Sequence, residues 1–255
     1  MRIAAIFDIH ANLPALEAVL QEVASLRVDM LVVGGDVIAG PMPNETLALL
    51  AQYQGNKVLL KGNAEIDLLH CLNHEAMHPL SPRASHEIHW LANTLKQEFI
   101  QKIVNWQFSS EIHSPELGRI LFCHATPRDS HEIFTEQTPT EQLLPMLGRS
   151  RADVIVCGHS HIPFERRLPQ CRIVNAGSVG MPVGSNLASW VLLDGQITFK
   201  QTAYDIHAAA QRIRQSDYPD AENFVQQQVL HVPNTAAQQQ LLLELMQQQQ
   251  LASAS

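Results

Sequence analysis

Six short apolar runs in this chain each end in a residue suited to holding a metal or a phosphate. Ile3–Phe7 leads into Asp8-Ile9-His10, and Met30–Val33 into Gly34-Gly35-Asp36. Val58–Leu60 leads through Lys61 to Gly62-Asn63, and Ile120–Cys123 ends at His124. Val154–Cys157 ends at Gly158-His159-Ser160-His161, and Ile173-Val174 at Asn175-Ala176-Gly177-Ser178. A short apolar, β-rich run bounded by glycine reads as a buried strand. In α/β folds, ligands collect in the crevice beyond the carboxyl ends of the strands. The pattern therefore aims two aspartates, an asparagine and at least four histidines at one place, which reads as a metal site.

The rest of the composition narrows the class. The chain has 255 residues, enough for one large α/β domain or two small ones. Its formal net charge is −8 and its pI about 5.9, with no run of basic residues. Nothing here points to a nucleic-acid tail or a basic membrane face. No 18-residue apolar run is present, and a strand follows Met1-Arg2 at once, unlike a leader peptide. The four cysteines form no C-x-x-C pair. They read as buried free thiols of a reducing cytoplasm, so a cytoplasmic location is expected.

The first part has a βα rhythm. Asn12 and Pro14 mark a helix start, and Leu16, Val19, Leu20 and Val23 recur at helical spacing. A second helix is expected from an Asn44 cap to Leu50. Asp8 to Asp36 is 28 residues and Asp36 to Asn63 is 27, each about one βαβ crossover. Residues 65–108 read as helical, broken by Pro79 and Pro82. Strands follow at Arg119–Cys123, Val154–Cys157, Phe164–Leu168, Arg172–Asn175, Ser189–Leu193 and Ile197–Thr202, with a helix near Pro139–Leu147. Helical character returns around 206–215 and 220–230. Residues 1–234 are expected to form one domain. Residues 235–255 are a glutamine-rich helix or tail, whose leucines could seat on the body or on a second copy of the chain.

Asp8 and His10 are two apart, as are His159 and His161. If the strand ends stay extended, each pair points to one side. A carboxylate can bridge two cations while imidazole and amide oxygen complete each shell. This mixed oxygen and nitrogen set suits Mn, Fe, Zn, Co or Ni. Two such cations roughly 3.5–4 Å apart can clamp a phosphoryl group.

The series Asp8-Ile9-His10, Gly35-Asp36, Gly62-Asn63, His124, Gly158-His159-Ser160-His161 resembles that of the calcineurin-like metallophosphoesterase superfamily. The run from Phe122 through Arg128-Asp129, with Asn175 to Gly180, resembles its small bacterial phosphodiesterase-type branch. The resemblance covers about residues 1–200. It implies an α/β fold: a four-layer α/β/β/α sandwich of two mixed sheets flanked by helices. It implies two divalent transition-metal ions, with Asp8, His10 and His161 on the first, Asn63, His124 and His159 on the second, and Asp36 bridging. Asn63 and His124 then also serve catalysis, the glycines before Asp36, Asn63 and His159 give sharp turns, and Asn175, Gly177 and Ser178 close the floor. One departure stands out: many members have histidine after the Gly-Asn pair, and here it is Ala64. Alanine donates no proton, which leaves Glu65, His131 or a metal-bound water as candidate acids. Arg128 is a candidate bidentate contact to phosphate.

His74-Glu75-Ala76-Met77-His78 matches H-E-x-x-H, the zinc-peptidase arrangement when it lies on a helix. Pro79 follows at once, and Ser81 and Ala84 break the extended form of the motif. The sequence is thus read as a dinuclear metal-dependent phosphoesterase acting on a small phosphate monoester, diester or nucleotide. In-line attack by a hydroxide bridging the two cations is the expected chemistry. The alternatives are a regulatory metal-binding protein of the same fold with weak catalysis, and a zinc peptidase.

Overall fold

The computed structural model describes residues 1–253 and consists of two five-stranded sheets packed face to face. At the centre of the first sheet, β1 (Ile3–Ile6) pairs in parallel with β2 (Met30–Val33), and β2 with β3 (Lys57–Leu59). On the other side of β1, β9 (Ala188–Leu193) runs antiparallel and is followed by β10 (Ile197–Thr202) at the edge. The second sheet has the order β4 (Ser109–Ser114), β5 (Gly118–Cys123), β6 (Val154–Cys157), β8 (Arg172–Asn175), β7 (Phe164–Arg167). Its inner strands β5, β6 and β8 are parallel, and the two edges are antiparallel.

The parallel strands are apolar on both faces because both faces are covered. Between the sheets lie Ile3, Ala5, Phe7, Val32, Val191 and Leu193 from one side and Ile120, Phe122, Val154, Val156 and Val174 from the other. The opposite face of the first sheet, with Ala4, Ile6, Leu31 and Val33, meets α1 (Leu13–Leu26) to α5 (Gln97–Val104). The intervening helices are α2 (Pro43–Gln52), α3 (Asn63–Leu72) and α4 (Pro82–Thr94). The outer face of the second sheet carries α6 (Thr140–Leu147), with Leu143 and Leu147 against Ile155 and Ile173. Four layers result, in the order the sequence implies.

Two smaller units complete the body. α7 (Ile206–Arg214), α8 (Ala221–Phe224) and a π-helical turn (Val225–Leu230) pack on Leu13 and Met42. Then α9 (Thr235–Ser253) lays Leu242 and Met246 against Ile133, Ile162 and Val183. The glutamine-rich segment is thus a helix with an apolar stripe on the body, while Leu241 and Leu245 face outward. Residues 254 and 255 of that segment lie outside the described residues. No helix among the described residues is long and apolar enough to cross a membrane. All four cysteines are free, and three of them are buried.

The local differences from expectation have physical causes. β4 was not foreseen, because an edge strand of sequence SSEIHS faces solvent along much of its length and shows no apolar run. Asn44 does not cap α2. Pro43 takes the first helical position, and the Asn44 amide instead bridges to α4, accepting from Lys96 N at 3.0 Å and donating to Thr94 O at 3.1 Å.

Phe7 ties this core to the strand ends. Its ring is fully buried, and a Cβ added at Gly34 would stand 1.8 Å from it. Phe7→Ala should therefore cost about 3–5 kcal/mol, since the site sits between two sheets that cannot both close in. Urea unfolding with an unchanged slope is the measurement, and a loss below about 1 kcal/mol would show that the sheets do collapse.

Candidate metal centre

The strands stop short of the ligands. β1 ends at Ile6 and β6 at Cys157. Beyond these two strands, and beyond the end of β2 at Val33, Asp8, His10, Asp36, His159 and His161 all have left-handed backbone, with φ of 52°, 47°, 48°, 67° and 61°. The pairs Asp8/His10 and His159/His161 therefore do not converge by extended alternation, as the spacing predicted. They converge because the chain coils left-handed at each ligand. Such residues cost of order 1–3 kcal/mol each and persist only where surroundings fix them.

The surroundings do fix them. His10 N donates to Asp36 O at 2.9 Å, and Asp8 N to Gly35 O at 3.2 Å, so the two loops hold each other. The Ser178 hydroxyl donates to Asp8 O at 2.7 Å. The Asn175 amide donates to Gly158 O at 2.5 Å and to Ser160 Oγ at 3.0 Å, gripping the loop that carries His159. This is the physical content of the floor that Asn175 and Ser178 were expected to close. Gly35 has φ of +94°, a true left-handed turn. Gly62 needs its missing Cβ for space instead: a Cβ there would lie 2.2 Å from Asp36 Oδ1.

All seven predicted ligands gather here. Asp8, His10 and His161 form one set, and Asp36, His124 and His159 a second, with ligand atoms of each set within 4.8 Å of one another. Asn63 joins the second set, its amide oxygen 3.0 Å from His124 Nε2. Asp36 lies between the sets. Its Oδ2 is 3.9 Å from His10 Nε2 and its Oδ1 is 3.5 Å from His124 Nε2. Asp8 Oδ1 also reaches both sides, 3.5 Å from His161 Nε2 and 3.9 Å from His124 Nε2.

The donor set fits divalent transition-metal cations. His10 Nδ1 faces Ala39 O and His124 Nδ1 faces Gly34 O, each at 2.9 Å. A carbonyl only accepts, so these nitrogens carry the protons, and each Nε2 turns a lone pair inward. His10 Nε2 and His161 Nε2 confront each other at 3.1 Å. The Asn63 oxygen faces only acceptors, Asp36 Oδ2 at 3.2 Å and His159 Nδ1 at 3.0 Å among them. Reversing the amide would satisfy it as a donor, whereas the oxygen in that place is matched by a cation. Asp8 Oδ1 is buried with no hydrogen-bond partner at all. A buried carboxylate oxygen left in this way is costly unless a cation completes it.

The electrostatics agree. Burial alone raises the Asp8 carboxyl, but His161, His124 and His10 overcome it and hold Asp8 well below the usual carboxylate range. Burial, then His124, lowers His159 to about 3, and burial, then His161, lowers His10. Both are neutral ligands near pH 7. His124 goes the other way: burial opposes its charge, yet Asp36 and Asp8 raise it above its ordinary value.

Other predicted residues fall elsewhere. Glu65 is fully buried behind the centre, where it cannot protonate a leaving group. Its carboxylate accepts from Gly62 N at 2.7 Å, Asp36 N at 2.9 Å, Val37 N at 2.8 Å and Ile38 N at 3.2 Å. It clamps together the two loops that present Asp36 and Asn63. A Glu two residues after Asn63, at the third position of a helix, was the available signal. Burial and then Asp36 push it up to about 7, against the donors that favour its anion.

Arg128, the expected phosphate contact, is committed to Glu132 through Nε at 2.9 Å and through Nη2, and to Pro145 O at 3.0 Å. It lines a separate cleft with Leu121, Arg149 and Arg151. The peptidase arrangement does not form either. α3 ends at Leu72, His74 is left-handed, and the stretch to Ser81 is not helical, so His74 and His78 are not one helical turn apart. Neither belongs to a metal-ligating group among the described residues.

Comparison with known proteins agrees with this geometry. Residues 1–196 match the model of the calcineurin-like phosphoesterase superfamily domain. An uncharacterised protein of Methanocaldococcus jannaschii is 27% identical over 238 residues, covering 86% of this chain and 94% of that protein. Phosphodiesterase YfcE of Escherichia coli is 26% identical over 192 residues, 74% of this chain and 85% of its own length. A metallophosphoesterase from Sphaerobacter thermophilus superposes with a TM-score of 0.69 at 24% identity, covering 91% of this chain and 99% of that one. A hypothetical protein from Pyrococcus horikoshii gives 0.75 at 16% identity, with the same coverage. The two structures establish likeness of fold.

Glu65→Gln puts an amide NH2 against backbone donors. It should weaken Mn binding by about 10–100-fold, the usual effect of losing a group that orients ligands. Calorimetric titration checks this, and unchanged affinity would mean that the loops hold without the clamp. A second expectation concerns acid. His124 takes up a proton at higher pH than an ordinary histidine, and the protonated ring offers no lone pair. Mn affinity should therefore begin to fall on acidification while the pH is still above about 6.5, the ordinary histidine value. Excess metal should partly restore activity there; an acid limb blind to metal concentration would contradict this.

Proposed function

The chain belongs to the calcineurin-like phosphoesterase superfamily and is a metal-dependent phosphoesterase; from that premise we propose that its two ligand sets form one dinuclear centre. The substrate is a small phosphate monoester, diester or nucleotide, hydrolysed by in-line attack of water on phosphorus. The observation that carries this reading is Asp36, whose two carboxylate oxygens each face a histidine of a different set. A relative named as a phosphodiesterase supports the diester among these choices.

Bound cations supply Lewis acidity, offsetting charge on the phosphoryl oxygens and making water nucleophilic near neutral pH. The mixed nitrogen and oxygen donors suit Mn, Fe, Zn, Co or Ni. The chain supplies order. Asp8 and Asp36 keep two buried anions between four imidazoles. Ala39 O and Gly34 O set the tautomers of His10 and His124, so neither of these two rings has to turn before it binds. Glu65 holds the loops of Asp36 and Asn63, Asn175 that of His159, and Ser178 that of Asp8. This preorganisation means that little has to move as the transition state forms.

One observation favours a second reading. Ala64 is buried against the centre and offers no proton, as fits a regulatory protein with weak catalysis. A panel of aryl and alkyl phosphate esters, with Mn-loaded protein, separates the two readings. Turnover typical of enzymes, about 1 s⁻¹ or more on at least one ester, supports the hydrolase.

Two variants test the site itself. Asp36→Asn should lose most metal at both positions, read by elemental analysis after reloading; retention of one full equivalent would sink the shared bridge. His124→Ala should abolish turnover, while Glu75→Gln, exposed on the connector after α3, should leave it nearly intact. The opposite pattern would move the active site to the His74–His78 segment.

A further inference from the structure

Hydrolysis of a phosphate ester leaves a proton to be placed. When the bond from phosphorus to the ester oxygen breaks, its electron pair goes to that oxygen. A nitrophenolate bears the charge; an alkoxide needs a proton. Ala64 cannot give one, Glu65 is turned behind the loops, and Arg128 is tied to Glu132. Apart from a metal-bound water, the side chains left to supply it are on the walls of the space beside the centre.

A cavity of about 640 Å³ opens on His159, and its walls include His78, His131, Asp129, Ile133 and Leu245. His131 is anchored from two sides. Asp67 stands four residues after Asn63 on α3, hence on the same helix face, and binds His131 Nε2 at 3.1 and 3.2 Å. On the other side His131 Nδ1 lies 3.2 Å from Ser130 Oγ and 3.5 Å from Asp129 Oδ1. Burial opposes a charge on this ring, but Asp129 and Asp67 outweigh it and push His131 up to about 9. His131 is therefore a fixed imidazolium with both nitrogens already engaged, a poor donor to anything else.

His78 lies flat on that ring, with centroids 4.6 Å apart and planes 16° from parallel. It is exposed to the cavity, and no hydrogen bond among the described residues engages its ring nitrogens. Pro79 disfavours helical backbone at His78, and the stretch that carries it is not helical. The stack fixes the plane of the ring and leaves its nitrogens free, as a proton donor requires.

We propose that His78 protonates the departing oxygen and that His131 is the positioning residue beneath it, an inference that rests on the phosphoesterase reading above. The oxygen of water forms the new bond to phosphorus, and the ester bond breaks with its electron pair on the leaving oxygen. The N–H proton of the His78 imidazolium passes to that oxygen, an alcohol departs, and neutral His78 regains a proton from solvent.

The test uses the full chain loaded with Mn, on bis-p-nitrophenyl phosphate, p-nitrophenyl phosphate and an alkyl phosphate such as glycerol phosphate. General acid catalysis typically contributes about 10²–10⁴-fold. His78→Ala should lower kcat on the alkyl ester by about 10-fold or more beyond its effect on the aryl esters, and added imidazole should restore part of the alkyl rate. His131→Gln should lower the alkyl kcat in the same sense with KM little changed. In the Zn-loaded chain, inorganic phosphate should shift the imidazole NMR signals of His78. Equal losses on aryl and alkyl esters, no imidazole rescue, or silent His78 signals would overturn the proposal. If the natural chain turns over none of these esters, the phosphoesterase reading fails, and this inference fails with it.

Discussion

Seven electron-rich side chains pointed at one small volume repel one another, and the rest of this molecule is arranged to hold them there. Asp8 Oδ1 has no hydrogen-bond partner, His10 and His161 meet nitrogen to nitrogen, and the Asn63 oxygen sits among acceptors. Left alone, such groups would turn outward to water. They do not, because five of the seven, Asp8, His10, Asp36, His159 and His161, stand on left-handed backbone, and hydrogen bonds between the loops hold that backbone in place. The sheets bring the loops together, and Glu65, Asn175 and Ser178 lock them. The repulsion between the donors is what a bound cation would offset, while the hydrogen bonds between the loops hold the backbone.

Much of this was legible in the sequence. A ligand-type residue directly after an apolar run is a strong sign when it recurs at Asp8, Asp36, Asn63, His124 and His159. The apolar runs gave the strands, and the strands placed the ligands. What could not be read was the mechanism of convergence. The two-residue spacing of Asp8 and His10 suggested an extended end, whereas both residues have positive φ. Propensity gives no warning of a strained dihedral imposed by tertiary contacts.

The misread residues share a cause: local sequence shows what a side chain could do and hides what it is already bound to. Arg128 looked free to hold a phosphate, and Glu132, four residues on, has claimed it. Glu65 looked like a spare acid, and four backbone donors occupy it. His74 and His78 have the spacing of a metal pair, yet the helix that would align them ends at Leu72. β4 escaped because an exposed edge strand needs no apolar pattern.

The family match stops at residue 196, yet α9, which begins at Thr235, lends Leu245, Gln248 and Gln249 to the wall of the cavity beside the centre. Chemistry and access are thus written in different stretches of the chain. Of these three α9 residues, Leu245 and Gln248 are exposed, whereas Gln249 is tied to the His131 segment, donating to His131 O at 2.7 Å and accepting from Ile133 N at 3.2 Å. The buried donors, in contrast, tolerate almost nothing. Changes at the exposed residues of α9 would alter the wall of that cavity without touching the buried donors.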